Sequence, residues 1–212
     1  MPTADRDATL ECRPAAPERL GDVETVFAGC ADAGRCWCAF WRRDRQDYRA
    51  GTRDGGNRAL FRGLVESGRT LGLVGYRGGE PVAWCGVAPR AEQPRLARSR
   101  NLAPVDDVPV WSITCFVTTK AHRRTGLLRP LVTAAARLAR SRGAPALEAY
   151  PIDAARPLGS GEIYTGVLRP FLDLGFREVA RRSPTRPIVR LDLTRFDPEV
   201  EHFEVIETAE PR

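Results

Sequence analysis

The sequence lacks any hydrophobic run long enough to cross a membrane, since no window approaches the roughly 18 uninterrupted apolar residues of a spanning helix. Its N-terminal stretch also lacks the apolar core of a signal peptide, because charged residues such as Asp5, Arg6 and Glu11 stand there. We therefore expect a cytoplasmic protein. No internal repeat divides the 212 residues. This continuity predicts one domain at residues 1–196, followed by an acidic tail at 197–212.

Lysine is almost absent as well. Lys120 is the only lysine, so 32 of the 33 basic side chains are arginines. The last sixteen residues hold six acids and one arginine, which leaves 32 basic against 21 acidic residues, a formal +11, on the rest of the chain. A body this basic predicts an anionic ligand, either a phosphorylated cofactor or a nucleic acid, or an acidic tail that lies back across it.

Histidine is scarce, and neither of the two histidines is near the closely spaced Cys30, Cys36 and Cys38. Structural zinc normally requires four ligands, with pairs separated by about two to four residues. The spacing therefore predicts no bound metal. Because the sequence lacks a signal peptide, we also expect the thiols to be reduced. The other three cysteines lie in apolar runs, where cysteine usually behaves as a small buried hydrophobic residue: Cys12, Cys85 and Cys115.

Hydrophobic periodicity predicts an α/β (α+β) fold with a mixed central sheet and helices on both faces. The Gly78-Gly79 pair suits a tight hairpin turn between two of its strands. The aromatic-rich segment 31–41 and the polar segment 90–108 are predicted as loops. The predicted strands are 8–13, 70–77, 81–89, 110–118, 146–150, 176–182 and 188–193. The predicted helices are 18–28, one that follows caps at 54–57 and ends near Gly68, 127–142 and 167–174.

The strand predicted at 110–118 alternates in the manner of a central strand. Trp111, Ile113, Cys115 and Val117 are expected to point to one face of the sheet, with the intervening residues on the other. This strand runs into a basic loop and then into the amphipathic helix at 127–142.

The basic loop is the segment whose residues indicate a binding site. Arg123, Arg124 and Gly126 stand where a helix begins, so cationic side chains, free amides and the positive end of the helix dipole meet at one point. Glycine can also adopt the turn geometry in which successive amides converge on a phosphate. The sequence therefore predicts an anion site here; a solvated basic loop is the alternative.

At this point the sequence resembles the GNAT superfamily of acyl-CoA-dependent N-acyltransferases. Arg123-Arg-Thr-Gly126-Leu-Leu128 corresponds to the superfamily's Arg/Gln-x-x-Gly-x-Gly/Ala signature. The resemblance implies a mostly antiparallel sheet with helices on both faces. It is closer still to an uncharacterised bacterial subgroup with four further motifs: Cys36-Trp-Cys38, Val82-Ala-Trp-Cys-Gly-Val-Ala-Pro-Arg90, Glu148-Ala-Tyr-Pro151 and Tyr164-Thr-Gly166.

The resemblance implies acetyl-CoA as co-substrate. It assigns backbone groups for the pantetheine arm to Cys115, Phe116 and Val117, in the manner of strand addition. The pyrophosphate would lie against Arg123, Arg124, Thr125, Gly126, Leu127 and Leu128. Two departures affect this segment. Leu128 replaces the final small residue of the signature, and Pro130 falls close to the helix start, where it removes a hydrogen bond unless the helix begins at Leu127 or later.

The implied reaction moves an acetyl group to a primary amine of a small molecule or peptide by direct attack. Many GNAT enzymes protonate the leaving thiolate with a tyrosine, but this chain has Phe171 at that position. Tyr164 is the predicted replacement, with Tyr150 behind it. Glu148 is the predicted base; the alternatives are Asp153, Glu162 or a water chain to bulk solvent.

For the amine pocket, the aromatic candidates are Trp37, Trp41, Trp84 and Tyr150, each of which could instead be ordinary core. Two other functions stay open at this stage: a non-catalytic acetyl-CoA-binding module, and, ranked last, a nucleic-acid binder. We expect a small-molecule or peptide amine as partner and no membrane or nucleic-acid partner. The sequence does not determine the assembly state, and a homodimer is one of the states that it allows.

Overall fold

The computed structural model describes residues 9–153, 156, 158–159 and 161–196. The predicted acidic tail at 197–212 and the first residue of the first predicted strand lie outside the described residues. Within the described part, no helix is both long enough and apolar enough to cross a bilayer.

Seven strands form one sheet in the order β1-β2-β3-β4-β5-β7-β6. Neighbouring strands are antiparallel, apart from the parallel pair β4 and β5. This confirms the predicted mixed, mostly antiparallel sheet. The strands are β1 Glu11–Pro14, β2 Gly72–Arg77, β3 Glu80–Pro89, β4 Trp111–Thr118, β5 Ala146–Ala149, β6 Arg177–Ala180 and β7 Ile188–Asp192.

Helices cover both faces of the sheet, as predicted. On one face α6 and α7 pack over β3, β4 and β5 in one hydrophobic core, and on the other α1, α2 and α4 pack in a second core around Trp84. The helices are α1 Leu20–Ala28, α2 Ala31–Cys36, α3 Arg45–Asp54, α4 Gly56–Glu66, α5 Pro94–Ala97, α6 Leu128–Ser141 and α7 Leu168–Asp173.

Helices α2 and α3 correct the sequence prediction, which had a loop at 31–41 and no helix at 45–54. Helix α3 is strongly polar, with Tyr48 and Ala50 as its only apolar side chains, so its sequence shows no apolar stripe. It is held by an N-cap at Asp44, which accepts a hydrogen bond from the Asp47 amide at 2.8 Å, and by the buried Asn57 amide. Asn57 Nδ2 donates to the carbonyls of Arg35 and Tyr48, which joins α2, α3 and α4.

A bulge in β4 also corrects the predicted alternation. Gly86 is paired with Cys115 but Val87 is paired with Ile113, so one extra residue lies on β4. Ile113 consequently lies in the core beneath α6, whereas Cys115 and Val117 pack against the opposite core beneath α1. An extra residue reverses every later side chain, because side chains alternate along a strand with a period of two.

Candidate active site

The basic loop after β4 turns tightly before α6 begins. Arg124 and Gly126 both have left-handed backbone conformations, with φ of 61° and 81°. Thr125 Oγ1 donates to the His122 carbonyl at 2.8 Å, which braces the turn from within. Backbone amides converge on an anion where residues with a left-handed backbone conformation alternate with residues in other conformations.

The cations of this loop face solvent. Arg123 and Arg124 are exposed, and neither forms an ion pair with another described residue. Leu127 is buried and Leu128 packs against the core, so they offer backbone groups only. Pro130 is the third residue of α6, and the Leu131 amide already donates to the Leu127 carbonyl at 3.2 Å. The proline therefore costs no helical hydrogen bond, because amides of the first turn have no partner within the helix.

A gap opens where β4 and β5 diverge. Their pairing covers Trp111 to Ile113 on β4, and beyond this point the Phe116 amide donates instead to the Tyr164 carbonyl at 2.6 Å. Successive amides of a strand point to opposite sides, so those of Cys115 and Val117 face β3. Of the three predicted pantetheine contacts, the structure thus turns only the Phe116 amide toward this cleft.

The segment that crosses the cleft packs on Phe171. A side chain at Gly166, where φ is 84°, would place its Cβ 2.8 Å from the Phe171 ring. Phe171 is fully buried against Phe116 and Phe176, with ring centroids 6.2 and 5.3 Å away. The position where the resemblance places a tyrosine is therefore hydrophobic core. The neighbouring Thr165 hydroxyl is buried and has no hydrogen-bond partner among the described residues.

Tyr164 is half-buried at the edge of the same cleft. Burial raises the pKa of its phenol, which Arg186 opposes from the β6–β7 loop, where its guanidinium carbon lies 6.0 Å from the ring centroid. The phenol therefore stays protonated at neutral pH and can act as a proton donor. The thiols of Cys36 and Cys115 are close enough to influence it electrostatically.

Glu148, the predicted base, and Tyr150, the second candidate proton donor, both lie in a buried ion-pair network. Glu148, 1% exposed, accepts hydrogen bonds from Arg190 at 2.7 and 3.2 Å, from Arg90 at 3.2 Å and from Tyr150 at 3.1 Å. The Tyr150 hydroxyl also contacts Arg90 and lies 2.8 Å from Ser112 Oγ. These bonds join Arg90, which directly follows β3, to β4, β5 and β7. The carboxylate is closed to solvent and already occupied by donors.

The other two predicted bases are paired near the surface. Asp153 binds Arg181 at 2.7 Å, and Glu162 binds Arg156 at 2.6 Å.

The three tryptophans proposed for the amine pocket are buried. Trp84 is fully enclosed, and Trp37 is 7% exposed beside Phe27 and Phe61. Trp41 lies in a third hydrophobic cluster with Tyr150, and its indole N–H has no partner among the described residues. For Trp37 and Trp84 the structure matches the core alternative.

Sequence reasoning missed Arg186, which lies beside Tyr164, and Tyr48, which is close to Cys36. Tyr48 follows the Asp44 N-cap, a local signal from which α3 could have been found. Arg186 carries no local signal, because its place beside Tyr164 depends on how the β6–β7 loop folds. Among the described residues no three His, Cys, Asp or Glu side chains are arranged to hold a metal ion.

The acetyltransferase (GNAT) family model matches residues 32–158, more than half of the chain. No curated protein matches the sequence.

Solved structures share the fold at low sequence identity. The PaiA N-acetyltransferase from Thermoplasma acidophilum, in complex with coenzyme A, is 11% identical with a TM-score of 0.50, covering 87% of this chain and 99% of its own. An N-acetyltransferase from Staphylococcus aureus is 14% identical with a TM-score of 0.50, covering 88% and 99%. The aminoglycoside acetyltransferase AAC(6')-Ib, in complex with coenzyme A, is 14% identical with a TM-score of 0.50, covering 87% and 95%.

Proposed function

The chain belongs to the acetyltransferase (GNAT) family, and we propose that it moves an acetyl group from acetyl-CoA to a primary amine of a small molecule or peptide by direct attack. The observation that carries this proposal is the left-handed basic turn, Arg123 to Leu128, at the start of α6. It offers helix-start amides next to the cleft between β4 and β5, together with two arginines that form no ion pair within the described part of the chain.

In this proposal the turn holds the pyrophosphate through Arg123, Arg124 and the amides from Thr125 to Leu128. Charge-assisted hydrogen bonds of this kind contribute about 1.5–3 kcal/mol each, so three or four suffice to hold a diphosphate. The pantetheine arm would extend along the cleft and take over the Phe116 amide from the Tyr164 carbonyl. The buried, unpartnered Thr165 hydroxyl is a further polar group at this position.

The reaction needs two proton transfers. An alkyl amine with a pKa of about 10.4 must lose a proton before its nitrogen can attack the thioester carbonyl carbon. We assign this proton to a water chain rather than to Glu148, because that carboxylate is buried and accepts four hydrogen bonds. The departing thiolate takes a proton from Tyr164, whose raised pKa keeps the phenol protonated.

We expect Tyr164→Phe to lower kcat by roughly 100-fold, the lower range for loss of a general acid, with acetyl-CoA affinity unchanged. The readouts are coenzyme A release across a panel of amines and isothermal titration with acetyl-CoA. Tyr76→Phe is the matched control, because that hydroxyl donates to Asp22 of α1 at 2.6 Å. Wild-type turnover in Tyr164→Phe would reassign the proton donor.

A non-catalytic acetyl-CoA-binding module is the second candidate, favoured by the buried Phe171 ring at the usual position of the donor tyrosine. Both candidates bind acetyl-CoA, but only the enzyme releases coenzyme A when an amine is supplied. A screen of amines that monitors free thiol therefore separates them. Cytoplasmic location, independence from metal and the homodimer stay predictions.

A further inference from the structure

Three cysteines that the proposed function does not use lie together beside the cleft. Cys36 ends α2, Cys38 lies two residues further along the chain, and Cys115 is on β4 just after the bulge. Trp37 and Cys38 both have left-handed backbones, with φ of 48° and 51°. Two successive non-glycine residues in this conformation are strained and require support from their surroundings.

Trp84 supplies part of that support. Its ring is fully buried, and its indole nitrogen donates a hydrogen bond to Cys38 Sγ at 3.1 Å. A buried indole N–H needs an acceptor, so this bond orients the sulfur as one. Gly86 provides the space, because a Cβ there would lie 3.3 Å from both the Trp84 nitrogen and the Cys115 Cβ.

Cys115 provides a second donor to the same sulfur. The hydrogen bond from the Cys115 thiol lowers the pKa of Cys38, helped by the Trp84 N–H and the positive charge of Arg42 and opposed by burial. The same bond and burial raise the pKa of Cys115 well above its ordinary value. The Cys38 sulfur is therefore stabilised as a thiolate, and Cys115 packs against the same hydrophobic core as Cys38.

Cys36 has a different environment. Burial and the negative charge of Cys38 raise the pKa of Cys36, and a hydrogen bond with Tyr48 opposes that shift. Although it is close to Cys38 in the sequence, it is therefore the weaker nucleophile of the two.

We propose that Cys38 and Cys115 form a hydroperoxide-reactive thiol pair, in which Cys38 is oxidised first and Cys115 resolves it to a disulfide. Oxidation-sensitive cysteines are typically accessible, charge-stabilised and next to a resolving thiol. Cys38 is partly exposed to solvent, and the proposal requires that a molecule as small as hydrogen peroxide reaches its sulfur.

The chemistry balances in two steps. The Cys38 sulfur attacks one oxygen of the hydroperoxide; an S–O bond forms, the O–O bond breaks, and the leaving oxygen takes a proton from solvent. The Cys115 sulfur then attacks the Cys38 sulfur; an S–S bond forms, the S–O bond breaks, and hydroxide leaves as water with the proton of Cys115. Two electrons pass from the thiol pair to the hydroperoxide.

The disulfide would tie the turn after α2 to the floor of the cleft. Cys115 directly precedes Phe116, whose amide we assign to the pantetheine arm, so the link would hold β4 where the arm must enter. We therefore expect a reversible loss of acetyl transfer on oxidation. This consequence rests on the proposed function, whereas disulfide formation does not.

The test treats the full chain with hydrogen peroxide, blocks the remaining thiols by alkylation and identifies linked peptides by mass spectrometry. We expect two of the six thiols to be lost, in a peptide that joins Cys38 to Cys115, with recovery by dithiothreitol. In Cys115→Ser, dimedone should label Cys38 as its sulfenic acid. Cys36→Ser is the matched control and should still form the disulfide.

A Cys36–Cys38 link, or thiols that all survive peroxide, overturns the proposal. A Cys38–Cys115 link that leaves acetyl transfer unchanged overturns its effect on the cleft. If the chain acetylates no amine, the proposed function fails, and the peptide link still decides whether the thiol pair is correct.

Discussion

Arg124→Glu is expected to raise the Kd for acetyl-CoA by at least roughly 100-fold. The change removes a charge-assisted phosphate contact of about 1.5–3 kcal/mol and places a negative charge beside the diphosphate; a loss of about 2.7 kcal/mol corresponds to that factor. Arg124 is exposed and forms no ion pair with another described residue, so the folded protein loses no contact of its own. Isothermal titration and the acetyl-CoA-induced shift of Tm measure the effect.

The matched control is Arg49→Glu, which changes the net charge by the same amount on α3, away from α6. It should bind acetyl-CoA as the wild type does at equal ionic strength. If Arg124→Glu and Arg49→Glu weaken binding equally, the effect is a long-range one of net charge, and the turn at Arg124 is not the phosphate site.

Glu148→Ala should lower the free energy of unfolding by about 3–5 kcal/mol, the range for removing one partner of a buried ion pair. The Glu148 side chain is 1% exposed, and those of Arg90 and Arg190 are 11% and 15% exposed, so solvent screens this network weakly. Without the carboxylate, two guanidinium groups lose their shared partner within the sheet. Urea unfolding followed by fluorescence measures the loss.

Two further variants separate a structural from a catalytic role for Glu148. Glu148→Gln keeps the shape and an acceptor oxygen, so it should lose less stability than Glu148→Ala. Glu162→Ala removes a surface pair with Arg156 and should leave the urea midpoint unchanged. If Glu148→Ala unfolds like the wild type but loses kcat, Glu148 is the base after all.

Local patterns were sufficient for much of the fold. The long helix α6 and strands β2, β3 and β7 follow from periodicities that each span only one segment of the chain. Two predictions failed where a pattern was absent or interrupted. Helix α3 has too few apolar residues to show a period, and the β4 bulge adds one residue that a reading of alternation cannot detect.

The sequence by itself determined the order of the strands, helices α1, α4, α6 and α7, and the basic turn from Arg123 to Leu128, because each of these depends on residues that are neighbours along the chain. Only the tertiary structure decided which groups from distant parts of the chain meet. Glu148 with Arg90, Cys38 with Trp84 and Phe116 with Tyr164 are each pairs separated by more than forty residues. Such contacts depend on strand order, register and the bulge, which single-segment patterns do not encode, and they set the charge and hydrogen bonding of the candidate site.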